Sequence, residues 1–400
     1  MQEQTLEQTE QTFKDYVLQT YERIPLSFKR GVGARLYDDK DVDYLDFCSG
    51  IGVISLGHSH PKFVKDLQDQ VAKILHVSNY YYIESQGLAA KKILELAGIK
   101  EGKVSFYNSG AEANECGFKI VRKWGNKRGK YKILTLEQSF HGRTYGAITA
   151  TAQPSLQKGF YPLVPGFEYA KDLEDMIRKV KRDPEVACVL IELIQGEGGV
   201  NALDKAQVKE LEKTCKEHEV LFMVDEVQSG IYRSGEFLAT QIYDVKPDII
   251  SLAKGLAGGL VIGANVTTIK EALVPGEHGT TFGGNALSTT ACLSALGLLE
   301  EHYKSGAVAK TVKKVDEFMD AILKDFPNIF LSKEGLGLMR GLKAKDLDTQ
   351  KKVIKVAQAE RLLLLKSGRN VVRLLPPVII SDAELEEGFK RMRSALEKIK

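Results

Sequence analysis

Two side chains in this sequence could together hold an aldehyde and an aromatic nitrogen. Lys254 follows the apolar run 249–253 and precedes the glycine-rich segment 255–259. Because a lysine at the end of a buried strand is costly unless its charge is used or removed, a Schiff base with a carbonyl partner is a natural role for it. Asp225 follows a second apolar run, 220–224. An amine and a carboxylate at two strand ends are what a pyridoxal phosphate site needs, with lysine on the aldehyde and aspartate on the ring nitrogen.

These two residues lie in a chain that alternates short apolar segments with longer helical patterns. The alternation is typical of βα units and predicts an α/β fold with a mostly parallel sheet. Ligands bind beyond the carboxyl ends of the strands in open α/β sheets, so we expect the chemically active strand ends to converge on one crevice. The predicted strands are 104–107, 132–136, 187–191, 220–224 and 249–253, with helices such as 111–124 and 207–219 between them.

The first two of these strand ends could bind phosphate and an aromatic ring. Segment 108–112 begins a helix, and backbone N–H groups at a helix start bind phosphate well. Ser109 and Glu112 could equally form a simple capping box. After the second strand, Phe140 could lie on a pyridine ring and Arg143 could clamp a substrate carboxylate. Taken singly, an aromatic side chain is more often core and an arginine more often solvated.

The third strand is followed by two acids beside a glycine-rich turn. Glu192 and Glu197 could be carboxylates of the site, or they could belong to a turn with a helix-capping acid. Asp225 alone could likewise be a cap, and Lys254 alone a lysine that extends its amine to the surface. The joint occurrence of these residues at successive strand ends favours a single site over separate simple explanations.

Three other kinds of site are disfavoured by spacing. Segment 125–131 resembles a phosphate-binding P-loop but has the wrong spacing and lacks the Ser or Thr after its lysine. No G-x-G-x-x-G follows the first strand of the parallel region, which argues against a dinucleotide. His58 and His60 lack nearby carboxylates in the sequence and precede Pro61, so they indicate a turn that begins a helix, and we predict no metal site.

Composition bounds the class of protein. The 400 residues suggest two or three domains at about 150 residues each. The 56 Lys and Arg against 53 Asp and Glu leave a formal charge of +3 without a basic aromatic cluster, so nucleic acid is a weak candidate partner. Five scattered cysteines, never spaced as C-x-x-C, argue against a disulfide framework and favour a reducing cytoplasm. The polar segment 1–12 and the absence of ~18 consecutive apolar residues predict a chain that is neither exported nor membrane-embedded.

The two ends of the chain have a different character from its middle. Residues 34–45 have the pattern of a short hairpin, and after about 287 the chain becomes helix-rich and lysine-rich, with a final strand near 371–375. We therefore predict an N-terminal segment (1–75) that contributes to a small α+β domain, a large cofactor-binding domain (76–290) and a C-terminal small domain (291–400).

The strings of the site make the chain resemble the class III pyridoxal-phosphate aminotransferases along most of its length, and the acetylornithine aminotransferases most closely. The matching strings are DFCSGIGV (46–53), LGHSHP (56–61), HVSNYY (76–81), NSGAEANE (108–115), FHGRT (140–144), QGEGG (195–199), DEVQ (225–228), AKG (253–255) and HGTTFGGN (278–285).

The resemblance implies a fold-type-I architecture and a homodimer whose sites lie at the subunit interface. It implies that Lys254 forms the Schiff base, that Asp225 pairs with the ring nitrogen and that Glu197 masks and releases Arg373 as the second substrate changes. The remaining implied contacts are Val227 and Phe140 on the two ring faces, Gln228 on the ring oxygen, Ser109, Gly110 and Ala111 on the phosphate with Thr281 of the partner subunit, Arg143 as a carboxylate clamp, and Ser78 and Asn79 near the substrate.

The resemblance also implies a substrate pair. The expected reaction moves the δ-amino group of N2-acetyl-L-ornithine to 2-oxoglutarate by ping-pong kinetics, giving N-acetyl-L-glutamate 5-semialdehyde and L-glutamate in arginine biosynthesis. This donor is favoured by string 76–81 and by Ile51, an apolar residue where similar ornithine aminotransferases carry a tyrosine. Ornithine, succinylornithine, N-succinyldiaminopimelate and 4-aminobutyrate stay open as donors, because one pocket position is worth only a few kcal/mol. An aminomutase, a decarboxylase or a non-catalytic cofactor binder are alternatives of other classes.

The sequence departs from the family pattern near the expected site. Leu260-Val261 interrupts a usual G-G-G-x-P-I-G, Ala286 replaces the common proline after Asn285, Tyr232 stands where a glycine is usual, and Leu193 replaces a common Pro or Ser. None of these changes removes a reacting group. We expect them to alter the entrance or the subunit contact.

Overall fold

The computed structural model describes residues 4–399, so the ends of the predicted segments 1–75 and 291–400, at residues 1–3 and 400, lie outside the described residues. The strands are β1 (Phe28–Val32), β2 (Arg35–Asp38), β3 (Asp43–Asp46), β4 (Lys103–Tyr107), β5 (Lys132–Leu136), β6 (Phe167–Ala170), β7 (Val186–Ile191), β8 (Ile194–Gln195), β9 (Asn201–Ala202), β10 (Leu221–Asp225), β11 (Ile249–Leu252), β12 (Gly263–Thr267), β13 (Phe330–Leu336), β14 (Met339–Ala344), β15 (Leu362–Leu363), β16 (Leu365–Ser367) and β17 (Val371–Leu374).

The helices lie between and around these strands, and a 3₁₀ turn (Lys254–Ala257) follows β11. They are α1 (Leu6–Tyr16), α2 (Ser49–Gly52), α3 (Pro61–Val71), α4 (Glu84–Ala97), α5 (Gly110–Asn126), α6 (Tyr145–Ala150), α7 (Pro154–Gln157), α8 (Leu173–Arg182), α9 (Lys205–Glu217), α10 (Ala239–Tyr243), α11 (Ala286–Lys304), α12 (Ala307–Asp325), α13 (Leu347–Ala359) and α14 (Asp382–Glu397).

A seven-stranded sheet in the order β4-β12-β11-β10-β7-β5-β6 forms the centre of the molecule. Strand β12 runs antiparallel to both of its neighbours, and the other pairings are parallel. The five strands predicted from apolar runs all belong to this sheet, and the α/β prediction is confirmed. Parallel neighbours bring their carboxyl ends to one edge of the sheet, which is the edge where a ligand can bind.

Both faces of the central sheet are buried. Alternate residues of one strand belong to different apolar clusters: in β10, Phe222 and Val224 pack in one and Leu221 and Met223 in the other. Side chains of a strand alternate between faces, and a sheet covered by helices on both sides has apolar residues at successive positions. This explains why β7 is a continuous buried run. A rigid two-sided core therefore holds the strand ends in place.

Two smaller sheets are built from the ends of the chain. One pairs β1, β2 and β3 with β15, so that strands from the N-terminal and C-terminal parts lie side by side. The other is antiparallel in the order β13-β14-β17-β16. The predicted hairpin and the predicted final strand are present as β2–β3 and β17. Strands from both ends of the chain thus share one small sheet, while the division into segments 1–75, 76–290 and 291–400 stays a prediction.

The short segment α2, which follows β3, is a left-handed turn rather than a right-handed helix. Its residues Ser49, Gly50, Ile51 and Gly52 have φ values of 47°, 60°, 66° and 76°. The left-handed region is strained for a β-branched side chain such as Ile51. The Oδ1 atom of Asp46 accepts the N–H groups of Cys48 and Ser49, each at 2.9 Å, and thereby fixes the start of the turn.

Tyr232, the departure at a usual glycine position, is also left-handed. Its φ is 62° and that of Ile231 is 57°. The Tyr232 side chain is buried and its ring lies 5.5 Å from Phe237 and 5.0 Å from Tyr303, between ring centroids. The backbone strain that a glycine would avoid is therefore accompanied by aromatic packing that a glycine would lack.

No helix within residues 4–399 combines the length and apolar character needed to cross a bilayer. All five cysteines are free thiols, and Cys116, Cys188, Cys215 and Cys292 are buried. His58 and His60 were the two histidines considered as metal ligands. His58 Nε2 lies 2.9 Å from Asp46 Oδ2. His60 immediately precedes α3, where the sequence predicts that a helix begins.

Candidate active site

Residues after five strands line one cavity of about 330 Å³ at the carboxyl edge of the central sheet. The convergence expected from the sequence is therefore present in the structure. The lining residues from these strand ends are Asn108, Ser109, Gly110 and Ala111 after β4, Phe140, His141 and Gly142 after β5, Glu192 and Glu197 after β7, Asp225, Val227 and Gln228 at the end of β10, and Ala253 and Lys254 after β11.

Lys254 begins the 3₁₀ turn with φ at 48°, in the left-handed region. Burial lowers the pKa of its amine, and the negative charge of Asp225 partly opposes this shift. The positive charge of Arg373 lowers the pKa further. A lysine with depressed pKa carries a larger share of neutral amine, which is the nucleophilic and basic form.

Asp225 is 4% exposed and its two oxygens accept hydrogen bonds from different elements. Oδ2 accepts Asn114 Nδ2 and lies beside His141 Nδ1, both at 2.8 Å, and Oδ1 accepts the Val227 N–H at 3.0 Å. The side chain is thus fixed in orientation, with the acid facing the cavity that also contains Lys254.

The N-terminus of α5 forms another wall. Ser109 caps this helix by accepting the Glu112 N–H at 3.2 Å, while Glu112 turns back to the Asn108 N–H at 2.6 Å. Ser109 therefore both caps the helix and lines the cavity. The first-turn N–H groups of an α-helix lack intrahelical partners, and they suit an anion. A Cβ atom on Gly110 would lie 2.7 Å from Val227 Cγ1, so only glycine fits between the helix and Val227.

Glu192 contacts two loops of the cavity wall. Its Oε2 accepts the Phe140 N–H at 2.9 Å and its Oε1 accepts the Gly196 N–H at 3.2 Å. Burial, together with the charge of Asp225, raises its pKa to about 7 against the lowering effects of His141 and the two backbone donors. The side chain sits at the rear of the cavity with both oxygens occupied as acceptors.

Arg373 and Glu197 form an ion pair at the cavity. Arg373 Nη1 lies 2.7 Å from Glu197 Oε1, and the arginine side chain is 3% exposed against 32% for the glutamate. The same nitrogen donates to Gln228 Oε1 and to the Gly196 carbonyl, each at 3.2 Å. Because the arginine is buried and the glutamate is more exposed, the Glu197 side chain can rotate into solvent while Arg373 remains in place.

Five predicted site residues do not themselves line this cavity: Arg373, which reaches it through its ion pair with Glu197, and Arg143, Thr281, Ser78 and Asn79. Arg143 is exposed, and its guanidinium carbon lies 5.5 Å from the centroid of Phe140. Thr281 is exposed on a loop that Asn79 holds by donating to the carbonyls of Thr280 and Gly283 at 3.1 and 3.0 Å. Ser78 accepts the Tyr80 N–H at 3.2 Å. One cluster of loops contains Ser78, Asn79 and Thr281. It lies beside Asn108, whose side chain donates to Thr280 Oγ1 at 3.2 Å.

Two side chains that hold Asp225 were not among the predicted site residues. Asn114 lies inside α5 and also donates to the His141 carbonyl at 2.8 Å, and His141 is fully enclosed. Both belong to strings that carry the family resemblance, NSGAEANE and FHGRT, which is the signal that could have identified them. Val53, Leu260, Val261 and Ile262 complete the wall as apolar residues.

The residues present fit pyridoxal phosphate. The cavity offers an amine of depressed pKa at Lys254, an oriented carboxylate at Asp225, and a helix N-terminus that suits a phosphate. The glycine at 110 leaves the space above Val227 that a side chain would fill. The described residues contain no cluster of three or more His, Cys, Asp or Glu placed for a metal ion.

The chain is similar to aminotransferases over nearly its whole length. Residues 16–396 match the family described as class-III aminotransferases. An acetylornithine aminotransferase from Wolinella succinogenes is 48% identical over 390 residues, which cover 96% of this chain and 98% of the relative. A solved ornithine aminotransferase from Toxoplasma gondii, with partial occupancy of PLP at its active site, matches with TM-score 0.91 and 29% identity over 98% of this chain and 94% of that one. The N-acetylornithine aminotransferase of Stenotrophomonas maltophilia matches with TM-score 0.82 and 31% identity over 95% and 98%.

Proposed function

The chain belongs to the class-III aminotransferases, and from that premise we propose its amino donor and the roles of its site residues. The predicted fold-type-I architecture, transaminase activity and dependence on pyridoxal phosphate are confirmed by this membership and by the solved relatives. Bound pyridoxal phosphate supplies an electron-withdrawing ring that stabilises the negative charge left when a C–H proton is removed.

We propose that the chain transfers the δ-amino group of N2-acetyl-L-ornithine to 2-oxoglutarate, as a step of arginine biosynthesis. The observation that carries this choice is the 48% identity, over 98% of its length, to a relative named acetylornithine aminotransferase. Ile51 supports it, because an apolar side chain two residues before the cavity-lining Val53 suits a donor whose α-amine is acetylated. The paired Arg373 and Glu197 support a reaction with two different acidic partners.

Lys254 and Asp225 have the central roles in this proposal. Lys254 Nζ would bind the cofactor aldehyde and, when free and neutral, would move the proton that leaves the donor carbon. Asp225 would hold the proton on the ring nitrogen, and the hydrogen bond from Asn114 and the contact with His141 keep its carboxylate oriented for that task. Phe140 and Val227 would enclose the ring, and Gln228 would reach the ring oxygen.

The phosphate would lie at the start of α5, with Ser109, Gly110 and Ala111 as donors. Arg143 would clamp a substrate carboxylate. Arg373 would bind the α-carboxylate of glutamate or 2-oxoglutarate after Glu197 moves away, and Glu197 would mask it while N2-acetylornithine reacts. The exposed fraction of Glu197, tenfold that of its partner, supports this assignment of the moving side chain.

We propose a homodimer in which Thr281 completes the phosphate site of the partner subunit, near Ser78 and Asn79. Exposed aromatic side chains near the site favour a covered surface, because Tyr80, Tyr82 and Phe282 are 95%, 108% and 60% exposed in the single chain. Light scattering should give the mass of two chains, and Thr281→Ala should weaken cofactor binding without changing that mass. A monomer with full activity would refute this part.

The five free thiols support a reducing cytoplasm as the compartment.

A panel of ω-amino donors tests the substrate. Each donor is supplied with 2-oxoglutarate and glutamate formation is followed, and we expect N2-acetylornithine to give the highest kcat/KM. If free ornithine or 4-aminobutyrate exceeds it by about tenfold, roughly 1.4 kcal/mol in transition-state stabilisation, the proposed donor is wrong. Turnover without 2-oxoglutarate would instead indicate an aminomutase, release of CO2 a decarboxylase, and cofactor binding without turnover a non-catalytic binder.

A further inference from the structure

Glu192 has no role in the reaction as proposed above, although it is 7% exposed and lines the cavity. It follows β7, a strand buried along its whole length, so the start of its side chain is rigidly placed. No cation lies within ion-pair distance of its carboxylate in residues 4–399. Both oxygens instead accept backbone N–H groups, from Phe140 and from Gly196. A buried acid used in this way holds backbone rather than balancing charge.

The two backbone groups that Glu192 joins belong to loops with different tasks. Phe140 is in the loop after β5 and faces the cavity. Gly196 immediately precedes Glu197, and its carbonyl accepts Arg373 Nη1 at 3.2 Å and Ser367 Oγ at 2.7 Å. The peptide groups around Gly196 are therefore held on the N–H side by Glu192 and on the carbonyl side by Arg373.

Other groups pack closely around Gly196 and Glu197. A Cβ atom at this position would lie 2.5 Å from Gln228 Oε1. On the far side of Glu197, its own carbonyl accepts the Gly368 N–H at 3.0 Å. The backbone on both sides of Glu197 is thus held by hydrogen bonds, which favours rotation of the Glu197 side chain as the way in which the Glu197–Arg373 pair opens.

We infer that Glu192 is a positioning residue for the carboxylate site, which keeps Gly196 and hence Arg373 in place when the Glu197 side chain rotates away. This inference rests on the proposed function, in which Arg373 receives the α-carboxylate of glutamate. After Glu197 leaves, Arg373 Nη1 keeps two acceptors, the Gly196 carbonyl and Gln228 Oε1. Glu192 holds the first of these through the backbone. The guanidinium then presents its remaining donors to the substrate without reorganising.

The task needs a hydrogen-bond acceptor on each of the two oxygens of the side chain. Both partners are N–H donors, and a carboxylate has acceptors on both oxygens, whereas an amide has one carbonyl oxygen and an NH2 group that donates. In a Glu192→Gln variant the amide oxygen should stay with the Phe140 N–H, the shorter of the two contacts at 2.9 Å against 3.2 Å. The NH2 group would then face the Gly196 N–H, and two hydrogen-bond donors would point at each other without an acceptor.

The test measures the two half-reactions of the holoenzyme separately, by stopped-flow absorbance of the bound cofactor. In Glu192→Gln, the second-order rate constant for glutamate should fall by about tenfold or more, and that for N2-acetylornithine by about threefold or less. Phe140 is proposed to lie on the cofactor ring, which both half-reactions use, so a disturbance there should affect both by a similar factor. The ratio of the two rate constants therefore isolates the effect at Gly196, and a merely structural role would not change it.

Glu226 provides a matched control. It is also a fully buried glutamate, at the end of the neighbouring strand, and it accepts the Thr240 N–H at 2.7 Å and the Ser229 hydroxyl, but it does not line the cavity. Glu226→Gln should leave the ratio unchanged. If it shifts the ratio as much as Glu192→Gln, or if Glu192→Gln lowers both rate constants equally, the inference is overturned.

Two further variants keep the outcome decisive. Glu192→Asp retains the carboxylate but is one methylene too short to reach both loops, so it should shift the ratio in the same direction, and it replaces Glu192→Gln if that variant does not fold. Arg373→Ala tests the proposed carboxylate site itself. If it leaves the glutamate half-reaction unchanged, the proposed function fails at Arg373. If it abolishes that half-reaction while neither Glu192 variant shifts the ratio, the function stands and the inference about Glu192 fails.

Discussion

Gly110→Ala gives the sharpest test of where the cofactor lies. The backbone of Gly110 is helical, so alanine is allowed there by conformation and would even favour the helix. The added Cβ would nevertheless lie 2.7 and 2.8 Å from the two methyl carbons of Val227, well inside van der Waals contact. Val227 is proposed to pack on one face of the ring, so relief of the clash must move either the helix start or that face.

The expected loss of affinity follows from this clash. Overpacking by one methyl group costs about 1–3 kcal/mol when the neighbours cannot relax. If that cost falls mainly on the bound state, the Kd for pyridoxal phosphate should rise by roughly tenfold to hundredfold, since 1.4 kcal/mol corresponds to about a factor of ten. Titration of the apoenzyme with pyridoxal phosphate, followed by absorbance, measures this change. Thermal unfolding measures the stability of the same variant.

Gly117 supplies the control in the same helix. A Cβ there would lie 2.4 Å from the terminal methyl of Met223, a flexible side chain that is away from the cavity. Gly117→Ala should change stability and leave cofactor affinity intact. The double variant Gly110→Ala/Val227→Ala should regain part of the lost affinity, because removal of the two methyl groups restores the space. Equal Kd values for Gly110→Ala and the wild type, or equal losses in both alanine variants, would refute the placement of the ring.

Two predictions concern stability. Tyr232→Gly should lower the free energy of unfolding, measured by denaturant titration, by about 2 kcal/mol. Loss of a buried aromatic side chain costs about 3–5 kcal/mol, and relief of the left-handed strain returns about 1–2 kcal/mol. A gain in stability would show that the strain outweighs the packing of Tyr232 with Phe237 and Tyr303. The second concerns pH: the pKa of Glu192 is raised to about 7 in the folded state from a usual value of 4.5, so its contribution should lower the free energy of unfolding as pH rises between these values. The free energy of unfolding of Glu192→Gln should therefore rise relative to that of the wild type by up to about 3 kcal/mol between these two pH values. A difference between the two proteins that does not change with pH would contradict the raised pKa of Glu192.

Much of the site was predictable because it depends on local sequence. Apolar runs of four to six residues mark strands, and in parallel strands of one sheet the residue after the run must lie at one edge. Lys254 and Asp225 were identified in this way, and both line the cavity. The same reasoning identified Phe140 and the start of α5 at Gly110, since each depends only on where an element ends.

The parts that could not be predicted depend on contacts distant in sequence. Asn114 lies within a helix, and nothing near it in the chain shows that its amide reaches Asp225, 111 positions later. Strand β12 was not predicted, because its place between β4 and β11 is set by pairing across the sheet rather than by its own short sequence. The backbone bridge made by Glu192 is equally non-local, since Glu192 reaches back to Phe140, 52 positions earlier in the chain.

The left-handed turn at 49–52 links the proposed preference for an acetylated donor to backbone energy. Ile51 occupies a conformation in which asparagine, aspartate and glycine are at ease and β-branched residues are not. A mutation at this position, which is proposed to bear on the choice of donor, would therefore change side-chain polarity and conformational strain in the same step. Asparagine, aspartate or glycine would relieve the strain, so torsion angles act here together with the shape and polarity of the side chain.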